Sequence, residues 1–354
     1  MDAAAGIVEA IGRARKEGQC LRVRGHSTKS AWLSPSDAIG LETSAHSGIV
    51  TYDPTELVVT VRAGTRLQDL VEELAQAGQV LAFDPPQFGS GGTVGGMVSA
   101  GFSGPTRPWN GSMRDALLGV NMVNGLGETL NFGGQVMKNV AGYDVSRLMA
   151  GACGALGVIL QASIRVQPKP EVECTLCFEL TAAESLEYCR SLARQYLPLA
   201  GSWWVEGQLF LRLQGSAAGV SAAQRQLGGA QMDGASLWAA VRDHRAPFFQ
   251  ATSHRGRTPH QADLWRLVVP PGVPLMQVPD AQVAIEWGGG QRWLWHDDAD
   301  VVRAYAASHK GWAWALGQAL ELEPNQRRYM TQIKQAFDPH GLFDSPLGLA
   351  THAH

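Results

Sequence analysis

Charge is scarce in this chain. Only 17% of its 354 residues are Asp, Glu, Lys or Arg, against about 25% in ordinary globular proteins. Such a surface is expected either to hide partly against partners or to belong to an α/β protein rich in glycine and alanine. The net charge of −3 removes the basic footprint that nucleic-acid binding requires. No apolar run reaches the 18 residues of a membrane span. The stretch Met1 to Gln19 lacks a signal-type apolar segment, so the reading is cytoplasmic. Cysteine is also sparse: Cys20, Cys153, Cys174, Cys177 and Cys189 make an odd set of five, which in a chain of this size does not look like a disulfide framework. Cys174 and Cys177 are spaced as CxxC, but inside a strand pattern, where residues three apart face opposite ways. There is no second CxxC, so no metal site is expected.

Two nucleotide motifs are missing as well. No Gly-Lys-Ser/Thr completes a Walker A loop. Gly92-Thr93-Val94-Gly95-Gly96 lacks the Rossmann spacing, and no acidic residue stands at the ribose-binding distance on a following strand.

Glycine, in contrast, is abundant: 41 residues, concentrated between Gly89 and Gly157 in short spaced groups. Apolar and β-branched residues interleave them, so the region reads as a series of tight turns around one object. Around it, apolar spacing predicts a helix over 3–16, a strand over 21–24 and a strand over 57–61. The Thr65 and Gln68 spacing suggests a capping box at the head of the next helix. A hairpin is expected around Asn124-Gly125, a short helix over 145–150 capped by Asp144, and a strand over 158–166. Pro168 and Pro170 punctuate the chain and mark the expected domain boundary.

Beyond it the chemistry changes, and nine of the eleven tryptophans lie past residue 200. Strand and helix patterns alternate there (173–180, 183–195, 202–206, 208–214, 221–227). Strands then follow at 264–269, 283–287 and 292–296, in the manner of a split βαβ unit on an antiparallel sheet. A last helix spans 324–337. The organisation expected is α+β, with domains at 1–170 and 171–320 and a returning segment at 321–354.

Three glycine-bearing segments carry the chemistry. Val23-Arg24-Gly25-His26-Ser27-Thr28-Lys29-Ser30 follows a strand and offers consecutive amides, the hydroxyls of Ser27 and Thr28, and the charge of Arg24 or Lys29 to a pyrophosphate. Gly89 to Gly96 holds five glycines in eight residues, which lets backbone approach a ligand closely or adopt φ > 0. The third runs from Lys138 through Gly142-Tyr143-Asp144 to Gly154-Ala155-Leu156-Gly157-Val158-Ile159.

Taken in order, these runs resemble the FAD-binding half of the vanillyl-alcohol-oxidase/p-cresol-methylhydroxylase (PCMH-type) flavoproteins. Asn110-Gly111-Ser112-Met113-Arg114-Asp115 and Gly133 to Asp144 belong to the same pattern. Within that superfamily the chain is similar to the FAD-binding subunits of bacterial glycolate oxidases. The likeness is dense over 20–168, thin across the second half, and returns at Ile333 to Phe343. It implies a two-subdomain FAD-binding fold with a smaller α+β cap. It further implies that Arg24, Gly25, His26, Ser27, Thr28 and Lys29 hold the pyrophosphate. Gly91, Gly92, Thr93, Gly95, Gly96 and Ser99 would follow the phosphate and ribityl path. Ser103, Gly111, Ser112 and Arg114 would flank the flavin, and Gly154, Gly157, Val158 and Ile159 would pack on the adenosine or ring side. FAD is long and doubly anionic, which suits several amide-rich turns.

The implied function is oxidation of glycolate, D-lactate or a similar 2-hydroxy acid. The implied partners are a catalytic flavoprotein sister subunit and an iron–sulfur subunit, with peripheral membrane association through them. Two features depart from the family pattern. Gly25-His26-Ser27 has the form of the histidyl-flavin attachment site of covalent members, the alternative being a loop histidine that bonds phosphate or solvent. The His-rich, Gly-Asp-Gly-Asn-like metal motif of catalytic relatives is missing; Glu286-Trp287-Gly288-Gly289-Gly290 is the nearest glycine run, and His244, His254 and His260 are scattered. A non-catalytic assembly subunit with a static flavin, or a standalone oxidase, therefore stands beside the leading reading. Arg266, Arg292 and Tyr329 are the side chains considered for substrate.

Overall fold

The computed structural model describes residues 2–134, 144–250, 263–277, 282–346 and 348. The chain divides into two compact units: 1–102, 112–169 and 317–354 in the first, 103–111 and 170–316 in the second. The expected residues Gln135 to Tyr143, His254 and His260 lie outside the described residues.

In the first unit, helix α1 (Ala4–Glu17) buries Ile7, Ile11 and Ala14 on one stripe. The strands are β1 (Leu21–Arg24), β2 (Ile39–Glu42), β3 (Ile49–Asp53), β4 (Val58–Arg62), β5 (Gln79–Val80), β6 (Leu117–Val123), β7 (Thr129–Gly133), β8 (Val158–Arg165) and β9 (Gln167–Pro168). Strands β3-β4-β8-β6-β7 form one antiparallel sheet, while β1 and β2 pair in parallel apart from it. Helices α2 (Leu67–Gln76) and α3 (Val94–Ala100) supply Leu67, Leu70, Leu74, Val94, Met97 and Val98 to the core against that sheet. Apolar residues at helical spacing meeting β-branched strand residues are what close this layer.

Two local expectations fail for identifiable reasons. Thr65 does not cap α2; its hydroxyl accepts the Gly48 amide at 2.8 Å, and the N-cap position falls to Arg66. The helix expected over 145–150 is only the 3₁₀ turn Ser146–Leu148, since Asp144 is engaged by Ser146 at 3.1 Å and by Arg147 at 2.9 Å.

The C-terminal helix Pro324–Phe337 ends in a buried lock. Lys334 is 1% exposed and Asp338 is 0% exposed, and Nζ meets Oδ2 at 2.7 Å. Nζ also donates to the carbonyls of Ala155 and Phe343, both at 2.9 Å. The Asp338 carboxylate accepts the Leu342 and Phe343 amides at 2.8 Å. The following residues then run beside β1: Leu21 N–H donates to Leu342 O at 2.7 Å and Asp344 N–H donates to Leu21 O at 2.8 Å. The segment at 342–344 thus extends the parallel pair on its other edge.

The second unit carries strands β10 (Val172–Glu179), β11 (Leu199–Val205), β12 (Gln208–Gly215), β13 (Ala230–Met232), β14 (Asp263–Val268), β15 (Val283–Glu286), β16 (Gln291–His296) and β17 (Trp312–Ala315). They make one eight-stranded antiparallel sheet in the order β13-β10-β12-β11-β15-β16-β14-β17. Helices α4 (Ala182–Leu192), α5 (Ala217–Leu227), α6 (Ala235–Arg242) and α7 (Ala299–Ser308) accompany it. The tryptophan-rich half is mostly core here: Trp203, Trp238, Trp265 and Trp293 are each 1% exposed. Glu286 is buried and accepts hydrogen bonds from Gln291 at 2.6 Å and from Trp293 at 2.7 Å.

Candidate cofactor site

The first unit contains a cavity of about 320 Å³ at the carboxyl end of β1. Its lining joins three stretches of chain: Arg22 to Leu33, Thr93 to Phe102, and Cys153-Gly154 with Ile159. Arg22, Arg24 and Lys29 line it, and no carboxylate does among the described residues. The lining is suited to a molecule carrying negative charge and flat apolar rings.

The loop after β1 is built by its own backbone. Ser27 stands at φ 55 and its carbonyl accepts the Ser30 amide at 3.1 Å, starting the 3₁₀ turn Ser30–Trp32. The amides of Gly25, His26, Ser27 and Thr28 have no hydrogen-bond partner among the described residues. Four successive free N–H groups beside Arg24 and Lys29 form an anion-binding concavity. At Gly25 a Cβ would lie 2.5 Å from Thr93 Oγ1, so only glycine lets this loop sit on the cap of α3.

Helix α3 plays a different part from the one its glycines suggest. Its opening amides are all committed within the protein. Val94 N–H donates to Thr65 O at 2.9 Å, Gly95 N–H to Ala63 O at 2.7 Å, and Gly96 N–H to Thr93 Oγ1 at 3.1 Å. A Cβ on Gly95 would meet the Ala63 Cβ at 2.7 Å. The close approach here is helix to strand end, and α3 serves as a wall.

Aromatic side chains complete the cavity. Trp32 and Phe102 line it, with ring centroids 5.0 Å apart, and Phe88 lies 5.5 Å from Trp32. Lys29 is 8% exposed, with its ammonium 5.6 Å from the Phe88 ring. Thr43 binds back to Arg24 O through both its amide (2.8 Å) and its hydroxyl (3.0 Å), which fixes the end of β1. Beside Gly154, burial pushes the Cys153 thiol up to about 12, with Arg22 opposing. That thiol is neutral at ordinary pH.

Of the residues singled out in the sequence, the cavity brings together Arg24, Gly25, His26, Ser27, Thr28, Lys29, Thr93, Gly95, Gly96, Ser99, Gly154 and Ile159. Gly91 and Gly92 lie behind the lining, Gly91 against His26 at 3.3 Å and Gly92 against the Gln87 carbonyl at 2.8 Å, measured from an added Cβ. Val158 faces the α1 core, and a Cβ on Gly157 would meet Val123 O at 2.4 Å. Ser103 and Gly111 belong to the second unit, whereas Ser112 is the N-cap of the one-turn helix Met113–Ala116. Arg114 lines a separate cavity of about 240 Å³. Trp32, Thr43, Ala63, Phe102 and Cys153 were not anticipated. The β1 loop length put Trp32 within reach, but nothing in its spacing distinguished it from core.

The side chains considered for substrate separate too. Arg292 is a brace: it donates to Gly289 O at 3.2 Å, Pro274 O at 2.6 Å and Tyr305 Oη at 2.9 Å. Arg266 donates to Gln291 at 2.7 Å, and burial, with Arg107 nearby, lowers its guanidinium to about 10. Tyr329 is 60% exposed on the C-terminal helix. No group of three metal-ligating side chains occurs among the described residues, and no helix there is long and apolar enough to cross a membrane.

Comparison with known proteins gives four results. A family described as FAD binding domain matches residues 2–133. The chain is 38% identical over 343 residues to the glycolate oxidase subunit GlcE of Escherichia coli (strain K12), covering 96% of this chain and 95% of that one. It is 32% identical over 128 residues to the glycolate oxidase subunit GlcD of Bacillus subtilis (strain 168), covering 36% of this chain and 27% of that one. Among solved structures, an alkyldihydroxyacetonephosphate synthase superposes with a TM-score of 0.65 at 13% identity, covering 95% of this chain and 73% of that one. At that identity the likeness shows fold alone; with the FAD binding domain match over residues 2–133, the fold is α+β of the PCMH type.

Proposed function

Since the chain belongs to the GlcE family of glycolate oxidase subunits, we propose that it carries FAD and serves in a complex that oxidises glycolate or a similar 2-hydroxy acid to the 2-oxo acid. The observation that carries the reading is the run of four free amides at Gly25 to Thr28, flanked by Arg24 and Lys29. An anion of two phosphates needs donors of this density and sign.

Bound FAD supplies a two-electron acceptor for the hydrogen on the hydroxyl-bearing carbon. The chain's own part is to hold and orient it. Gly25 to Thr28 would take the pyrophosphate, with Arg24 and Lys29 balancing its charge. Thr93, Gly95, Gly96 and Ser99 form the opposite wall. Trp32 and Phe102 present flat apolar surface, which ring systems pack against and water leaves. Gly154 and Ile159 close the third side, and Cys153 beside them stays protonated and unreactive. His26, exposed at the rim, also lines a neighbouring polar cavity.

The partners in this reading are a sister flavoprotein subunit and an iron–sulfur subunit, in the cytoplasm and peripheral to the membrane. Domains at 1–170, 171–320 and 321–354 go with it. The test is to purify the chain alone and with its co-expressed partners. Flavin content and anaerobic bleaching by glycolate and D-lactate would then be recorded. Flavin retained on the chain, and bleached in the assembled complex, is the expected result. A chain that keeps no flavin after desalting would sink the reading.

A further inference from the structure

The second cavity of the first unit has a composition unlike the first. Its floor is aliphatic, from Leu148, Ala152, Leu156, Met330 and Ile333, and the ionisable side chains on its lining are Arg114 and Arg147. Asp144 occupies Arg147 at 2.9 Å. Arg114 is exposed and makes no ion pair or hydrogen bond among the described residues. Among the described residues the lining thus carries two guanidiniums and no carboxylate, on a chain whose net charge is −3.

The helix that forms one bank is itself incompletely covered. Of its fourteen residues, Lys334 is the buried one, and it is occupied by Asp338. Met330 and Ile333 are half-buried, Tyr329 is 60% exposed, and Leu148 across the groove is 38% exposed. Aliphatic floor, guanidinium rim and partly uncovered aliphatic side chains on both banks describe one half of an interface. Charge complementarity then selects the occupant.

We infer that this groove receives an acidic segment of a sister subunit, one that inserts an aliphatic side chain between Met330, Ile333 and Leu156 and sets carboxylates against Arg114 and Arg147. The inference rests on the multi-subunit reading proposed above. It adds a physical link to the cofactor site, because the two cavities share a wall. Gly151, Ala152, Ala155 and Leu156 face the groove, while Cys153 and Gly154 from the same turn face the first cavity. That turn is held by Gly151 N–H to Val98 O at 3.1 Å, Cys153 N–H to Ser99 O at 2.9 Å and Lys334 Nζ to Ala155 O at 2.9 Å. A partner seated in the groove therefore presses on the back of the flavin wall.

The experiment uses the full flavin-loaded chain and the co-expressed sister flavoprotein subunit, with the dissociation constant read by sedimentation. Arg114→Glu reverses the free rim charge and Met330→Trp fills the floor. Each is expected to weaken association ~10-fold or more, as a central interface position does. Arg225→Glu, the same charge change on an exposed face of α5, is expected to leave it unchanged. Raising salt should weaken the unmodified complex more than the Arg114→Glu complex. Flavin content and far-UV circular dichroism of each variant separate a lost fold from a lost contact. Equal affinity of Arg114→Glu, Met330→Trp and the unmodified chain overturns the inference and leaves the multi-subunit reading intact. Failure of the unmodified chain to associate overturns both.

Discussion

Replacing Lys334 with methionine should destabilise the first unit by ~3–5 kcal/mol, the range found when one partner of a buried ion pair is removed. Methionine keeps the volume and the helix propensity, so the change isolates the charge. Three contacts disappear: the 2.7 Å pair with Asp338 and the 2.9 Å bonds to Ala155 O and Phe343 O. Two carbonyls then lie buried without that donor, at ~1–3 kcal/mol each where no water reaches. Asp338, 0% exposed, keeps its two amide donors, which offsets part of the loss. The expected total stays within the range for a broken pair because these contributions overlap. For a unit of this size, each kcal/mol lowers the melting midpoint by ~2–4 °C. The assay is thermal release of flavin fluorescence, since the cofactor cavity lies in this unit, supported by urea unfolding. A second signature is specific to the geometry. The Ala155 bond steadies the turn that carries Cys153 and Gly154, so flavin should also dissociate faster below the transition. A loss under ~1 kcal/mol, with unchanged flavin release, would refute the assignment of Lys334 as the lock.

Gly25→Val should abolish flavin retention while the chain still folds, because the added Cβ meets Thr93 Oγ1 at 2.5 Å and displaces the loop from the α3 cap; full flavin content in this variant would contradict the site. Gly95→Val is expected to reduce soluble yield as well as flavin, since its collision is with Ala63 at 2.7 Å in the packed wall; normal yield with only flavin lost would place Gly95 on the ligand instead. Burial lowers the His244 imidazole from its ordinary 6.5 to about 3, with Arg266 adding to the effect and Asp243 opposing it. The unfolded chain therefore binds the extra proton first, and stability of the second unit should fall as pH drops from about 6.5 toward about 3, by up to ~1.4 kcal/mol per pH unit. Urea unfolding followed by tryptophan emission across that window, flattened in His244→Phe, is the check; a flat profile in the unmodified chain would count against it. Cys153, with its thiol pushed up to about 12, should resist alkylation at mildly alkaline pH when exposed Cys20 is already modified, as read by peptide mass mapping.

Much of the architecture was legible in the order of residues. The strand over 21–24 and the helix over 324–337 match their observed bounds, because each has a clean apolar period and a stop signal at its end. Where reading failed, a competing partner far away in sequence decided the outcome. Thr65 has capping-box spacing, yet Gly48 offers its hydroxyl a better-placed donor. The glycines of the second segment show the same limit. A glycine that admits a phosphate and one that admits its own backbone look identical in sequence. Distances of 2.7 Å to Ala63 and 2.8 Å to the Gln87 carbonyl assign Gly95 and Gly92 to the second kind. The first segment could be read because its free amides are local to the loop. Trp32 and Phe102 could not, since their placement depends on three stretches meeting around the cavity. Arg292 misled for the opposite reason: an arginine in a strand suggests a ligand clamp, while its partners are the carbonyls of Pro274 and Gly289.

The strand that launches the anion loop is flanked on one side by β2 and on the other by residues 342–344. During synthesis the ribosome releases that loop long before its second flank. Until residues 342–344 emerge the cradle is framed on one side only, and a nonsense codon shortly before Leu342 would yield a polypeptide with the cavity lining present and that frame missing.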